Sequence, residues 1–138
     1  MKTALYVLFT ALIFLACDQS NNYVSPSDKL YKRWKAVEIG KNGKDWRTLT
    51  PPEVVEFVAD GTVKYETQTN LCCSPTELTR QKSILKVVKT GSNGPYCAGM
   101  SCVAISELHI LLLSDTDLVI DYAHDGASMY SLRYEAAP

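Results

Sequence analysis

The sequence predicts an all-β fold: a single antiparallel meander barrel of about eight strands. Three observations point there. Short segments alternate apolar and polar residues, turn residues such as Asn42-Gly43 and Asp60-Gly61 separate them, and almost nothing scans as a long amphipathic helix. The chain has 138 residues, 46% of them hydrophobic and 21% charged, which fits one domain with an adequate core rather than a disordered chain. Lys and Arg number 14 against 15 Asp and Glu, for a net charge of −1. The even balance, without a basic stripe, argues against nucleic acid as a partner.

The first strand is expected over Leu30 to Ile39, with Leu30, Trp34 and Ala36 on one face and Arg33 and Lys35 on the other. Lys41 to Lys44 (KNGK) forms a turn. A short strand over Trp46 to Leu49 then ends at the Pro51-Pro52 break. Val54 to Ala59 follows, with Val55 and Phe57 inward, and Asp60-Gly61 turns it into Thr62 to Thr67, with Val63 and Tyr65 inward. Asn70 to Thr79 reads as a polar loop, Ser83 to Lys89 as a strand, and Thr90 to Pro95 (TGSNGP) as a turn. Val103 to Leu113 is the longest run, placing Leu108, Ile110 and Leu112 on one face. Ser114 to Asp117 turns it into Leu118 to Tyr122, and His124-Asp125-Gly126 leads to the last strand, Met129 to Tyr134. Seven strands are clear and eight or nine are expected in all. Short turns between neighbours make the sheet antiparallel, and closure into a barrel removes its exposed edges.

The N-terminus carries an export signal. Lys2 precedes an apolar stretch from Ala4 to Ala16, too short to span a bilayer and of the right length for a secretory signal. Phe14-Leu15-Ala16-Cys17 resembles a bacterial lipobox, in which cleavage leaves the cysteine to be lipidated. Residues 1–16 are therefore expected to be a signal peptide. Residues 17–29, opening with acylated Cys17 and continuing through DQSNNYVSPSD, form a flexible tether, and residues 30–138 form the barrel domain. The expected location is the bacterial envelope, most simply the outer membrane, with the lipid bilayer as partner through Cys17. The alternative is a soluble secreted protein in which Cys17 is incidental.

Trp34 in the first strand, the Val55 to Thr62 hairpin (VEFVADGT) and the closing Tyr130 to Tyr134 segment (YSLRY) together resemble the lipocalin-like lipoproteins of Bacteroidetes-type bacteria. The resemblance runs from about Leu30 to Tyr134. It implies a binding module without catalytic residues, and it implies that Arg133 packs over the Trp34 indole at the barrel floor. Lys32 stands where lipocalins carry a glycine before that tryptophan.

After Cys17, four cysteines remain: Cys72, Cys73, Cys97 and Cys102. Export to an oxidising compartment and an even count favour two disulfides. A vicinal Cys72–Cys73 bridge would need a strained peptide, so the bridges are expected to join the Asn70–Thr79 loop to the Tyr96–Cys102 segment, in either of two pairings. The rival reading is a four-thiolate zinc site, but the spacing lacks the C-x2-C knuckles of structural zinc, and no metal or other cofactor is expected.

Glu107 and His109 share a strand face and are the only pair suggesting acid–base chemistry. They lack a nucleophile or third partner, and a solvated outer face explains them more simply. His124 and Asp125 belong to a turn, the aspartates around 115–125 match no calcium loop, and no nucleotide, hydrolase or metalloprotease motif is present. No catalytic residue is assigned. Seven of the eight tyrosines follow Cys17, and Tyr65, Tyr130 and Tyr134 fall on inward faces as ligand-binding candidates, a pattern that a fully packed barrel would share. The expected function is a non-enzymatic, membrane-anchored binding module for a small apolar or amphipathic ligand. The alternative is a protein-binding envelope module, a hydrolase inhibitor or accessory subunit, acting through a loop such as Gly91 to Met100 (GSNGPYCAGM).

Overall fold

The computed structural model describes residues 28–66, 71–91, 97–123 and 128–138. Within them lie eight strands: β1 (Arg33–Lys41), β2 (Lys44–Phe57), β3 (Val63–Tyr65), β4 (Pro75–Gln81), β5 (Ile84–Thr90), β6 (Glu107–Leu113), β7 (Asp117–Ala123) and β8 (Met129–Ala136). All pairings are antiparallel, in the order β3-β2-β1-β8-β7-β6-β5-β4. Every strand pairs with its sequence neighbours except β3 with β4, and β8 returns to β1, so the sheet curls into a nearly closed up-and-down barrel. The remaining seam lies between β3 and β4. It is joined by a single bridge, Thr62 to Glu77, and by the Leu78 amide donating to the Gly61 carbonyl at 2.8 Å. The signal peptide, Cys17 and the proposed tether up to residue 27 lie outside the described residues, as do His124, Asp125 and residues 92–96 of the Gly91–Met100 loop.

The turn chemistry explains the hairpins. Asn42 and Gly43 both have positive φ (52° and 68°), the conformation a tight β1–β2 turn requires. Asn42 also accepts the Met129 amide on its side-chain oxygen, at 2.9 Å. At the β2–β3 turn, Asp60 accepts the Thr62 amide at 2.8 Å, and that hydrogen bond holds the carboxyl below its ordinary pKa. Gly61 (φ 93°) is required twice, because an added Cβ would also lie 2.4 Å from the Leu78 carbonyl oxygen.

Three elements depart from the sequence expectation. The Pro51-Pro52 pair does not end a strand: β2 runs unbroken from Lys44 to Phe57, with a cis Thr50–Pro51 peptide. Ala36 pairs with Glu53 and Glu38 with Thr48, so Leu49 to Pro52 bulge opposite Val37 alone, where the prolines owe no ladder hydrogen bond. The second half of the expected 70–79 loop belongs to β4, whose one buried apolar side chain, Leu78, gives no readable alternation. In β6 the register slips between Ile110 and Leu112. Leu113 then sits opposite buried Leu118, while Leu111 and Leu112 are left 62% and 49% exposed, so Leu112 does not share the inward face of Leu108 and Ile110.

The barrel has a filled end and an open end. Leu30, Trp34, Leu85, Leu118 and Ile120 are the largest fully buried side chains, and the chain enters beside them at Asp28. Trp34 Nε1 donates to the Leu30 carbonyl at 2.9 Å, folding the entering segment beneath the indole. Asp28 pairs with Arg80 of β4, and Lys29 with Asp115 of the β6–β7 turn at 3.0 Å, fastening that segment across the base.

The expected Trp34–Arg133 stack is not formed. Tyr134 and Leu132 point inward, so Arg133 between them points outward, where it is bound to Glu38 at 2.9 Å. The cation over the indole is Lys32, 4.5 Å from the ring centroid.

Candidate functional site

Alternation along β2, β3, β7 and β8 decides what the barrel encloses. Residues 53, 55 and 57 of β2 share a face, as do 63 and 65 of β3, 118, 120 and 122 of β7, and 130, 132 and 134 of β8. At the filled end these positions are large and apolar and pack solidly. Toward the open end they become Glu53, Tyr65 and Tyr122, and a cavity of about 220 Å³ remains. Apolar side chains form much of its wall, among them Phe57, Leu108, Ile120 and Leu132.

Among the described residues, Glu53 is the one charged residue lining this cavity. It faces Ala36 across the β1–β2 ladder, and its Oε1 is buried with no hydrogen-bond partner among the described residues. Burial raises its carboxyl above the ordinary pKa, and no neighbouring cation draws it back. Tyr65, Tyr122 and Tyr134 share the cavity. Burial raises all three phenols, and the Glu53 charge adds to each shift. They remain neutral donors at ordinary pH. Tyr65 donates its hydroxyl to the Pro75 carbonyl at 2.8 Å, bridging the β3–β4 seam.

The cysteine loop frames the mouth. Cys72 is bonded to Cys97 and Cys73 to Cys102, with Cα separations of 5.4 and 5.3 Å. Both bridges join the 70–79 region to the 97–102 segment, and the zinc alternative falls because all four sulfurs are bonded. Cys72, Cys73, Ser74 and Pro75 all line the cavity. The loop is seated by Gly91, whose amide donates to the Ser74 carbonyl at 2.8 Å while its own carbonyl accepts the Cys73 amide at 3.0 Å. A Cβ at Gly91 would lie 2.1 Å from the Leu71 carbonyl oxygen, so only glycine permits this approach.

Of the three tyrosines expected as ligand contacts, Tyr65 and Tyr134 line the cavity. Tyr130 lies beyond it at the rim, 5.9 Å from the Tyr122 ring in a stacked pair, in a separate recess with Ile39, Lys41 and Arg47. Sequence reasoning missed Glu53. The signal was present: the Val55/Phe57 alternation extended two residues back puts position 53 inward, but the Pro-Pro pair had been read as the end of the strand. Glu107 and His109, 3.5 Å apart, are exposed on the outer face of β6 and away from the cavity.

The fold and the cavity together define a small up-and-down β-barrel with one Tyr- and Glu-lined internal recess at its open end. No family model, curated protein or solved structure matches the chain.

Proposed function

We propose that this protein is a non-enzymatic binding module, lipocalin-like in kind, whose barrel interior takes a small apolar or amphipathic ligand. One observation carries the reading: the barrel is not filled, and the space left open is apolar in its walls with a few convergent polar groups. About 220 Å³ equals the space of roughly seven waters at ~30 Å³ each, so the ligand is small, a single ring or a short chain. Native mass spectrometry of the protein purified from its own cells tests this. A reproducible adduct of low mass supports the reading, and a consistently empty barrel rejects it.

The second part of the proposal is an envelope anchor at Cys17, supported by the order of Lys2, the apolar stretch and the cysteine. Labelled palmitate should enter the wild type and not Cys17→Ser; equal incorporation in both rejects the anchor. The rival reading, a protein-binding module, draws on the exposed Leu111 and Leu112. Scattered exposed apolar residues are ordinary on a protein surface, and an adjacent pair on one strand names no partner.

A further inference from the structure

Resting on the reading of the cavity as a ligand site, we propose that its ligand is an amine: an ammonium group held by Glu53 on a compact apolar body enclosed by Tyr65, Tyr122 and Tyr134. The barrel places a single carboxylate among apolar walls, with Oε1 sequestered from solvent and without a donor. A buried acceptor left without a donor is costly, and more so when charged, so natural interiors satisfy such groups. Nothing among the described residues does so here. The carboxylate makes no ion pair, whereas the outer-face carboxylates Glu38, Glu56 and Glu66 each have a basic partner.

The surroundings choose among donors. A neutral ligand would leave the carboxylate charge uncompensated, and an anionic one would have to share a small cavity with it. An ammonium supplies both a donor and the opposite charge, and the charge-assisted bond it forms is about twice as strong as a neutral one. Aromatic faces around the carboxylate add cation–π attraction for the same group. The tyrosine hydroxyls remain protonated and present no competing negative charge. The same cavity offers apolar wall for the body of such a ligand, from Phe57, Leu108 and Ile120.

Three probes sharing one apolar body separate the possibilities: phenethylamine, phenethyl alcohol and hydrocinnamate, each titrated calorimetrically into the full chain at neutral pH. The amine should bind at least about tenfold more tightly than the alcohol, and hydrocinnamate most weakly. In Glu53→Gln the amine should lose that advantage while the alcohol still binds, which also shows that the variant is folded. Glu107→Gln, on the outer face, should change none of the three. If amine and alcohol bind equally, or if Glu53→Gln leaves the preference intact, the amine assignment is overturned and the cavity reading stands. Tightest binding by hydrocinnamate would mean that Glu53 acts as a neutral acid, and overturns the assignment too. If none of the three binds, the cavity reading fails and takes the assignment with it.

Discussion

The indole of Trp34 is fully buried, and its Nε1 holds the Leu30 carbonyl of the segment that closes the base of the barrel. Truncating a buried tryptophan costs about 3–5 kcal/mol through lost burial and the cavity left behind. Arg133, on the outer face with Glu38, forms an exposed pair worth about 0–1 kcal/mol. Trp34→Ala should therefore lower the thermal midpoint sharply while Arg133→Lys leaves it nearly unchanged; comparable losses would return Arg133 to the barrel floor. Glu53 gives a prediction of a different kind. Its pKa is raised on folding, so the native state holds this proton more tightly than the unfolded chain. The stability contributed is complete below the ordinary carboxylate range and is lost as pH rises through the raised value. Melts from about pH 4 upward should show the wild type declining relative to Glu53→Gln, and parallel curves would mean that the carboxylate is solvated.

Among the elements, those that keep strict alternation were legible and those that break it were not. β7 could be read directly, because Leu118, Ile120 and Tyr122 face inward and no bulge interrupts its pairing with β8. β6 carries an even stronger apolar signal, yet one extra residue at Leu111 reverses its last turn of side chains, and composition cannot reveal such a slip when every residue nearby is Leu or Ile. β4 is polar enough to pass for a loop, and β2 hides behind two prolines; Glu53 was lost with the latter. The seam between β3 and β4 is the thinnest part of the wall, held in part by a backbone bond to Gly61. Gly61→Ala faces both a positive φ and a collision with the Leu78 carbonyl, and such a change costs more than about 1 kcal/mol. Amide exchange should reveal Leu78 losing protection while Ile120, in the unbroken β7–β8 ladder, keeps it; uniform loss would show that the seam opens only with the whole barrel.

For the whole molecule, the two disulfides bind the mouth rather than the core. Cys72–Cys97 and Cys73–Cys102 span 25 and 29 residues of chain, and a loop of that length stabilises by about 3–4 kcal/mol in the chain-entropy account. The two loops overlap almost completely, so the second bridge adds less than the first. Peptide mapping without reductant should recover these two pairings and no Cys72–Cys73 species; finding that species would contradict the mouth as described. Reduction should lower the thermal midpoint and weaken retention in the cavity, because four cavity-lining residues, 72–75, belong to the bridged loop.

The chain joins the barrel at Asp28, on the filled end, with the mouth at the far end of the strands. Seven-residue strands such as β5 and β7 span about 23 Å at ~3.3 Å per residue, somewhat less once tilted to the barrel axis. Whatever holds the molecule by its first residues therefore grips the base of a cup and leaves the rim on the distal side. The rim stands about 20 Å from the point where the chain joins the barrel, by that rise.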